Sequence, residues 1–239
     1  MKKILSIIFV IICCFALFGC GVDVKQEAER LDAEYYQPGY NSLMNLCKEV
    51  NSMRSQSADE SFNQAVVKTI TDKYKPEFIA LQTKFNQEKD IKETAKLREQ
   101  INYMIQDSID VMDIGLEFAN LSSNDNEKAK ALFNKLSIKF NNLFSEQAEY
   151  KNQYSLITTG KSSYELTLRN YQEIQKGDTY AKVVQIFKMP GRLTNSEESN
   201  IRLIGHRKLD HYIWESDDCY VRIMFENGKA YMMEQKGLK

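Results

Sequence analysis

Between Tyr40 and about Tyr154, apolar residues recur at the spacing of amphipathic α-helices, and this pattern limits the possible folds most strongly. Three prolines and ten glycines in 239 residues leave few points at which a helix would be interrupted. Short polar connections near 56–59, 89–92 and 121–125 separate the apolar stripes. Because short connections make neighbouring helices antiparallel, residues 40–154 are predicted to form an up-and-down helical bundle with one short and three long helices.

The stripes are interpreted as bundle core, since aromatic residues at helical spacing are far more often core than a cofactor site. A kink is expected at Pro76, which removes one backbone hydrogen bond. The four stripes contain Tyr40, Leu43, Met44, Cys47 and Val50; Phe62, Val66, Ile70, Tyr74, Phe78, Leu81 and Phe85; Leu97, Ile101, Met104, Ile105, Met112, Leu116 and Ala119; and Leu132, Phe133, Leu136, Phe140, Leu143 and Phe144.

The pattern changes after a polar stretch rich in Ser, Thr, Gly and Lys, and residues 155–166 are predicted to be an interdomain linker. Residues 167–239 are predicted to form a second domain of two short helices packed on a four-stranded antiparallel sheet. The helices are expected to end at Gly177 and before Pro190, and residues 192–200 are interpreted as a loop. The expected strands are Ile201 to Ile204, Tyr212 to Trp214, Cys219 to Phe225 and Ala230 to Glu234. The fold class is therefore α+β.

Asn227-Gly228 is typical of a two-residue hairpin turn and predicts a register for the last two strands. Pairing Glu226 with Lys229 places Met232 on a core face with Val221, Ile223, Phe225 and Ala230. The opposite face carries residue types enriched at protein interfaces, and it is the candidate protein-binding surface: Tyr220, Arg222, Met224, Tyr231 and Met233. The alternative is that the bundle or the 192–200 loop covers this face.

Trp214 is predicted to lie in the core rather than to serve as a ligand platform. If the following turn has an even number of residues, Trp214 pairs with Cys219 and shares a face with Val221; an odd number of residues would flip the strand and expose Trp214.

The N-terminus combines Met1-Lys2-Lys3, an apolar run from Ile4 to Phe18, and Gly19-Cys20. This arrangement is typical of a secretory signal and resembles a bacterial lipoprotein signal. The resemblance implies that residues 1–19 are removed, that Cys20 is acylated, and that the protein is lipid-anchored on the extracytoplasmic face of a bacterial cell membrane. An uncleaved membrane anchor is the alternative. Residues 20–39, ending at Pro38-Gly39, are interpreted as a lipidated tether.

Charge and cysteine content exclude some classes of protein. The 32 Lys and Arg residues against 33 Asp and Glu give a net charge of −1, which disfavours nucleic acid as a partner. With Cys20 lipidated and the signal removed, the one possible disulfide joins Cys47 and Cys219. Two free thiols are the favoured interpretation, because a disulfide framework has more and closer cysteines.

No catalytic residue, metal ligand or cofactor site is predicted. The two histidines, His206 and His211, are not spaced to share one face of a helix or strand, and no matched ligands accompany them. Gly160-Lys161-Ser162 lacks the first glycine of a phosphate-binding loop. Glu197-Glu198 and Asp217-Asp218 are interpreted as solvated pairs.

Four segments of the second domain, 170–191, 212–215, 223–229 and 235–238, resemble an uncharacterised lipoprotein domain common in Gram-positive bacteria. That domain is related in fold to the beta-lactamase inhibitor protein and to the outer-membrane lipoprotein family SmpA/OmlA. Asp178 stands where the usual pattern has methionine, and Met189 where it has glycine before proline. The resemblance implies a protein-binding fold without a catalytic signature.

Three functions are compatible with these residues. The first is a non-catalytic protein-interaction module that binds an unidentified cell-envelope protein. The second is an envelope enzyme or its accessory acting on the cell wall, which needs a carboxylate-lined cleft. The third is a module that senses a small ligand, which needs a pocket between the two domains.

Overall fold

The computed structural model describes residues 23–56, 60–121, 125–201, 205–216 and 219–239, and it confirms the α+β class. Helices occupy the N-terminal part, and a four-stranded antiparallel sheet with short helices beside it follows. The proposed signal peptide 1–19, the acylated Cys20 and the Asp217-Asp218 pair lie outside the described residues.

The first part of the chain contains six α-helices among the described residues: α1 Val24–Leu31, α2 Gln37–Gln56, α3 Glu60–Thr69, α4 Lys75–Phe85, α5 Ala95–Ala119 and α6 Asn126–Thr159. The π-helical segment Asp32–Tyr36 joins α1 to α2, the π-helical segment Ile70–Tyr74 joins α3 to α4, and the 3-10 turn Lys92–Thr94 precedes α5. The result is four long rods: α1–α2, α3–α4, α5 and α6.

Cross-rod side-chain contacts show that neighbouring rods are antiparallel. In the first two rods, Glu34 contacts Lys84 and Glu49 contacts Lys73. In α4 and α5, Gln82 contacts Gln106 and Lys75 contacts Asp113. In α5 and α6, Asp107 contacts Lys139 and Glu117 contacts Lys128. In each pair of contacts the residue number rises on one rod as it falls on the other, so the bundle is up-and-down.

The tether prediction for residues 20–39 was wrong where the structure describes them. Residues 24–39 are helical, and Ala28, Leu31 and Tyr35 are 0% exposed in the bundle core. Pro38 was interpreted as a chain break, but a wide π-helical turn precedes it, in which the Gln37 N–H donates to Asp32 O. A wider turn accommodates a residue that cannot donate the usual helical hydrogen bond.

A π-helical turn also precedes Pro76. The Lys75 N–H donates to Ile70 O across the second π-helical segment, one residue before the proline. The helix is therefore widened in the turn before Pro76, and the expected kink of its axis stays a prediction.

Gly39 allows α2 to approach α5 closely. A Cβ atom on Gly39 would lie 2.7 Å from Met104 Cε and 3.1 Å from Leu81 Cδ2. The absence of a side chain here sets the helix spacing, so the Pro38-Gly39 pair contributes to packing rather than ending a segment.

The helix α6 extends five residues into the predicted linker. It ends at Thr159, where Gly160 adopts φ +72° as the C-cap. Residues 155–159 are therefore helical, which corrects the linker boundary. The next residues fold back onto α6, because Asn152 Oδ1 accepts hydrogen bonds from the Ser162 hydroxyl at 2.7 Å and the Ser163 N–H at 3.1 Å.

The second part contains α7 Leu168–Glu173, α8 Tyr180–Phe187, β1 Arg192–Ile201, β2 Gly205–Ser216, β3 Cys219–Glu226 and β4 Lys229–Lys236. The strands lie in the order β1-β2-β3-β4, and each pair is antiparallel. The loop prediction for 192–200 was wrong. Residues 192–199 are exposed on an edge strand, so β1 shows little apolar alternation and is held by its backbone pairing with β2.

Trp214 is at the centre of the second core with 0% exposure. Its ring lies 5.8 Å from Phe187 and 6.5 Å from Phe225, and its Nε1–H donates to Met189 O at 2.9 Å. Trp214 pairs with Val221 rather than Cys219, because Ser216 pairs with Cys219. The connection is therefore two residues long, and its even length gives the buried register.

The bundle and the sheet share α6. Leu143 and Tyr150 belong to the bundle core, whereas Ala148 packs in the sheet core. The Ser145 and Tyr180 hydroxyls lie 3.0 Å apart, and Tyr164 is hydrogen-bonded to Glu149. One helix therefore supports both units.

Candidate functional site

The β3–β4 hairpin begins in the predicted register. Asn227 has φ 49° and Gly228 has φ 77°, Glu226 pairs with Lys229, and Phe225 pairs with Ala230. The register then shifts by one residue, because Met224 pairs with Met232 rather than Tyr231. Tyr231 is the additional residue of a β-bulge.

The bulge exchanges the sides of the sheet that were predicted for Met232 and Met233. Met233 pairs with Ile223 and packs against the sheet core, so its assignment to the candidate binding surface was wrong. Met232 pairs with Met224 and is 61% exposed, so its assignment to the core was wrong as well. One extra residue reverses the facing of every later side chain in a strand.

The corrected candidate surface is the side of the sheet away from Trp214, and we call it the outer face. It contains four of the predicted residues and one that the sequence did not indicate: Tyr220, Arg222, Met224, Tyr231 and Met232. Neighbouring β2 residues His211 and Ile213 pair with Met224 and Arg222, respectively.

A depression of about 320 Å³ lies at the centre of the sheet, and its lining includes residues of the outer face as well as the core-side residues Tyr212, Ile223 and Met233. Met224, Met232 and His211 contribute to its lining, Thr194 lies on the β1 side, and Glu234 lies on the β4 side. Thr194 is the extra residue of a second register shift, between Leu193 and Asn195, and its hydroxyl donates to His211 O at 3.0 Å. The register shifts in the two edge strands, β1 and β4, therefore lie next to the depression.

Charged and aromatic groups border the methionines. Arg222 Nη1 lies 3.0 Å from Glu234 Oε1, and the guanidinium carbon is 4.6 Å from the Tyr220 ring centroid. The Lys176 ammonium is 4.4 Å from the Tyr231 ring centroid. The Arg222 and Glu234 side chains are more than half exposed, so this ion pair contributes little to stability.

Neither of the two covers considered from the sequence lies on the outer face in the described structure. Residues 192–199 continue the sheet as β1 instead of crossing it. The bundle approaches through α6 and α8, and α8 packs on the Trp214 side of the sheet. Tyr231 and Arg222 accordingly remain exposed.

The described residues contain no group of three or more His, Cys, Asp and Glu side chains able to hold a metal ion. Cys47 and Cys219 are free thiols, as favoured by the sequence. Burial raises the pKa of the Cys47 thiol.

Two carboxyl side chains between α5 and α6, the buried Asp107 and the half-buried Glu146, had no signal in the sequence. Asp107 Oδ1 and Asp110 Oδ2 lie 2.7 and 2.6 Å from Lys139 Nζ. Asp107 Oδ2 and Glu146 Oε2 are buried and have no hydrogen-bond partner among the described atoms. Burial first, and the nearby Asp107 second, raise the pKa of Glu146 to about 7.

A smaller cavity of about 220 Å³ lies between α2 and α4, directly after the two π-helical segments. Its lining is mostly apolar and includes Gly39, Phe78 and Leu81. Ser42 is also among the lining residues, but its hydroxyl oxygen is buried beneath the cavity surface and lacks a hydrogen-bond partner in the described structure.

Comparisons with known proteins identify no relative. No family model matches the chain, and no curated protein or solved structure matches it. The resemblance to the lipoprotein domain therefore stays a prediction from the sequence. Within the described ranges, no helix is long and apolar enough to cross a membrane.

Proposed function

We propose that this protein is a lipid-anchored, extracytoplasmic envelope protein that binds another envelope protein through its outer face and performs no catalysis. The observation that carries the proposal is the exposure of Arg222, Tyr231 and Met232 on the described sheet. A two-layer antiparallel sheet normally presents a polar face to water. Here Met224 and Met232 pair with each other on that face, and the exposed bulge residue Tyr231 directly precedes Met232.

These side chains suit a protein partner. Methionine is flexible and polarizable and adapts to a partner's shape, and tyrosine and arginine are enriched among residues that dominate binding energy. The Arg222–Glu234 pair provides polar groups at the edge of the methionines. An apolar centre with a polar edge is the arrangement of protein interfaces.

The lipid anchor in this proposal is supported by the signal-like residues 1–19 and by Cys20. Acyl chains on Cys20 would supply the membrane attachment, since stable anchoring requires more than one acyl chain or equivalent signal. The partner is then expected on the same side of the membrane.

The test is crosslinking in intact cells. A photoreactive residue at Met232 should capture a distinct partner, and Arg222→Glu combined with Tyr231→Ala should remove that partner from the crosslinked products. Ile79→Asp is a matched control, because Ile79 is 47% exposed but lies on α4 in the bundle.

Folding of each variant is checked by circular dichroism and by the emission of Trp214. If the folded double variant retains every crosslink, or if Ile79→Asp removes the same products, the outer face is not the binding site.

A second candidate function, recognition of a small ligand, is favoured by the cavity between α2 and α4. A small, mostly apolar cavity is suited to a compact apolar molecule. Titration of the full chain with phenol, followed by nuclear magnetic resonance, should shift signals of residues lining the cavity. The shifts should disappear in Ala80→Trp, because Ala80 also lines the cavity and is exposed, so the larger ring can fill the cavity from the surface.

A further inference from the structure

The first helix begins very close to the proposed lipid attachment point. Asp23 is the N-cap of α1, and its carboxylate accepts hydrogen bonds from the N–H groups of Lys25 and Gln26 at 3.0 and 3.1 Å. Asp23 is three positions after Cys20 in the sequence. Since an extended chain spans at most about 3.6 Å per residue, the bundle begins within roughly 11 Å of Cys20.

The helix α1 is fixed firmly to the rest of the bundle. Arg30 is held by both Glu27, at 2.9 and 3.0 Å, and Glu88, at 3.0 and 2.8 Å. Glu27 is 8% exposed, and Tyr35 also donates to Glu88. Hydrogen bonds from Arg30 and Tyr35 lower the pKa of Glu88 to about 2. Glu27 and Arg30 are both on α1 and would stay paired if α1 detached, but Glu88 would lose Arg30. Detachment would also expose Ala28 and Leu31, which are fully buried, so α1 does not act as a flexible spacer.

The same contacts show which end of the bundle lies next to Cys20. Glu88 belongs to the connection between α4 and α5, and the 3-10 turn Lys92–Thr94 in that connection contacts α1. The C-terminal end of α6 also lies at this end, because the Tyr150 hydroxyl donates to Asp32 at 2.7 Å in an antiparallel arrangement. We call residues 86–94 together with the start of α1 the anchor end.

We propose that the anchor end rests against the phospholipid headgroups, so that the bundle is held in a fixed orientation rather than suspended on a tether. This inference depends on the acylation of Cys20 in the proposed function. The interfacial layer is several ångströms thick on each side of the hydrocarbon, which is comparable with the available chain length.

Charge does not determine this contact. Lys89 and Lys92 are exposed at the anchor end, but Asp90 and Glu93 are exposed beside them. Opposite charges in similar number give little net attraction to anionic lipid. The short covalent connection between Cys20 and α1 holds the anchor end at the membrane. The contact is therefore expected on neutral and anionic membranes alike.

The test uses the full-length acylated chain, with Cys47 and Cys219 replaced by serine, in vesicles that contain a headgroup-labelled quencher lipid. A thiol-reactive fluorophore is placed on Lys92→Cys or, as the matched control, on Lys130→Cys. Lys130 is on α6 but about 44 Å farther along the helix than Thr159, at 1.5 Å per residue. Vesicles are made of phosphatidylcholine alone or with phosphatidylglycerol.

Strong quenching at position 92 and little at position 130, on both vesicle types, is the expected result. Inserting a flexible Gly-Ser segment of about ten residues between Val22 and Asp23 adds roughly 16–19 Å of mean span and should abolish most of the quenching at position 92. The inserted variant should still co-float with vesicles.

The inference is overturned if acylated protein on vesicles shows equal quenching at both positions, or if the insertion leaves quenching at position 92 unchanged. A separate failure is recognised by mass spectrometry and flotation. If the chain isolated from cells carries no acyl group, and Cys20→Ser floats equally well, the proposed lipid anchor is wrong and this inference falls with it.

Discussion

Replacing Glu146 with glutamine should stabilise the protein in a pH-dependent manner. Glu146 Oε2 is buried without a hydrogen-bond partner among the described atoms, and the pKa of this carboxyl is raised to about 7 from its ordinary value of 4.5. Glutamine keeps the shape of the side chain and removes the ionisation. The destabilising effect of charging a buried carboxyl should therefore disappear in Glu146→Gln.

The direction of the pH dependence follows from proton uptake. Below pH 4.5 the carboxyl is protonated in both the folded and the unfolded chain, and it adds no pH dependence. Between about pH 4.5 and 7 the folded chain holds a proton that the unfolded chain has released, so the free energy of unfolding falls as the pH rises. Above pH 7 the loss is complete.

A pKa shift from 4.5 to about 7 corresponds to an upper limit of about 3 kcal/mol at 1.36 kcal/mol per unit. Glu146 is only half-buried, so solvent screening reduces this to about 1–2 kcal/mol. Because about a quarter of this loss is already present at pH 5, Glu146→Gln should raise the free energy of unfolding by about 1 kcal/mol more at pH 8 than at pH 5.

Urea denaturation followed by circular dichroism at both pH values measures this difference. Glu127→Gln is the control, because Glu127 is an exposed carboxylate near the start of the same helix. An equal gain at pH 5 and pH 8, or a loss at pH 8, would refute the assignment of Glu146 as a proton-binding carboxyl.

Four further predictions concern the second core, the connection after α6 and the anchor. Trp214→Ala should lower the free energy of unfolding by about 3–5 kcal/mol in urea denaturation, and a fully water-exposed emission wavelength of Trp214 in the folded protein would contradict its burial. Gly191→Ala should lower the free energy of unfolding by about 1–3 kcal/mol in the same assay, since the added Cβ atom would lie 2.5 Å from the Trp214 ring. An unchanged free energy of unfolding would show that the ring can move. Limited trypsin digestion should cut first at the exposed Lys161, directly after Gly160; a first cut inside α5 would contradict the packing of the bundle. Cys20→Ser should block both acylation and removal of residues 1–19, as measured by mass spectrometry, and an acylated, processed mutant would exclude this anchor.

The parts of the fold that local residue chemistry determines could be predicted from the sequence. The apolar stripes gave the bundle, and Asn227-Gly228 gave the hairpin turn, because each depends on residues close together in the chain. The strand β1 was missed because an exposed edge strand depends on backbone pairing with β2, which its own side chains do not reveal.

The candidate binding surface was predicted only in part. Four residues were placed correctly on the outer face, but the bulge at Tyr231 exchanged Met233 for Met232. A bulge inserts one extra residue into one strand, and neither the turn residues nor the alternation of apolar residues indicated where it would fall. The Glu146–Asp107 pair was missed for a related reason, because it forms only when two long helices pack together.

The π-helical segment Asp32–Tyr36 also determines how far α1 is rotated about the rod axis relative to α2. A π-helical turn holds one residue more than an α-helical turn, and each residue of an α-helix advances by about 100°. Deleting Ala33 would restore a regular helix but rotate α1 by that angle relative to α2. Leu31 would then turn away from the bundle and Arg30 away from Glu88. The extra residue therefore corrects the rotation between α1 and α2. Because of it, one continuous helix turns its apolar face toward the bundle on both sides of Pro38.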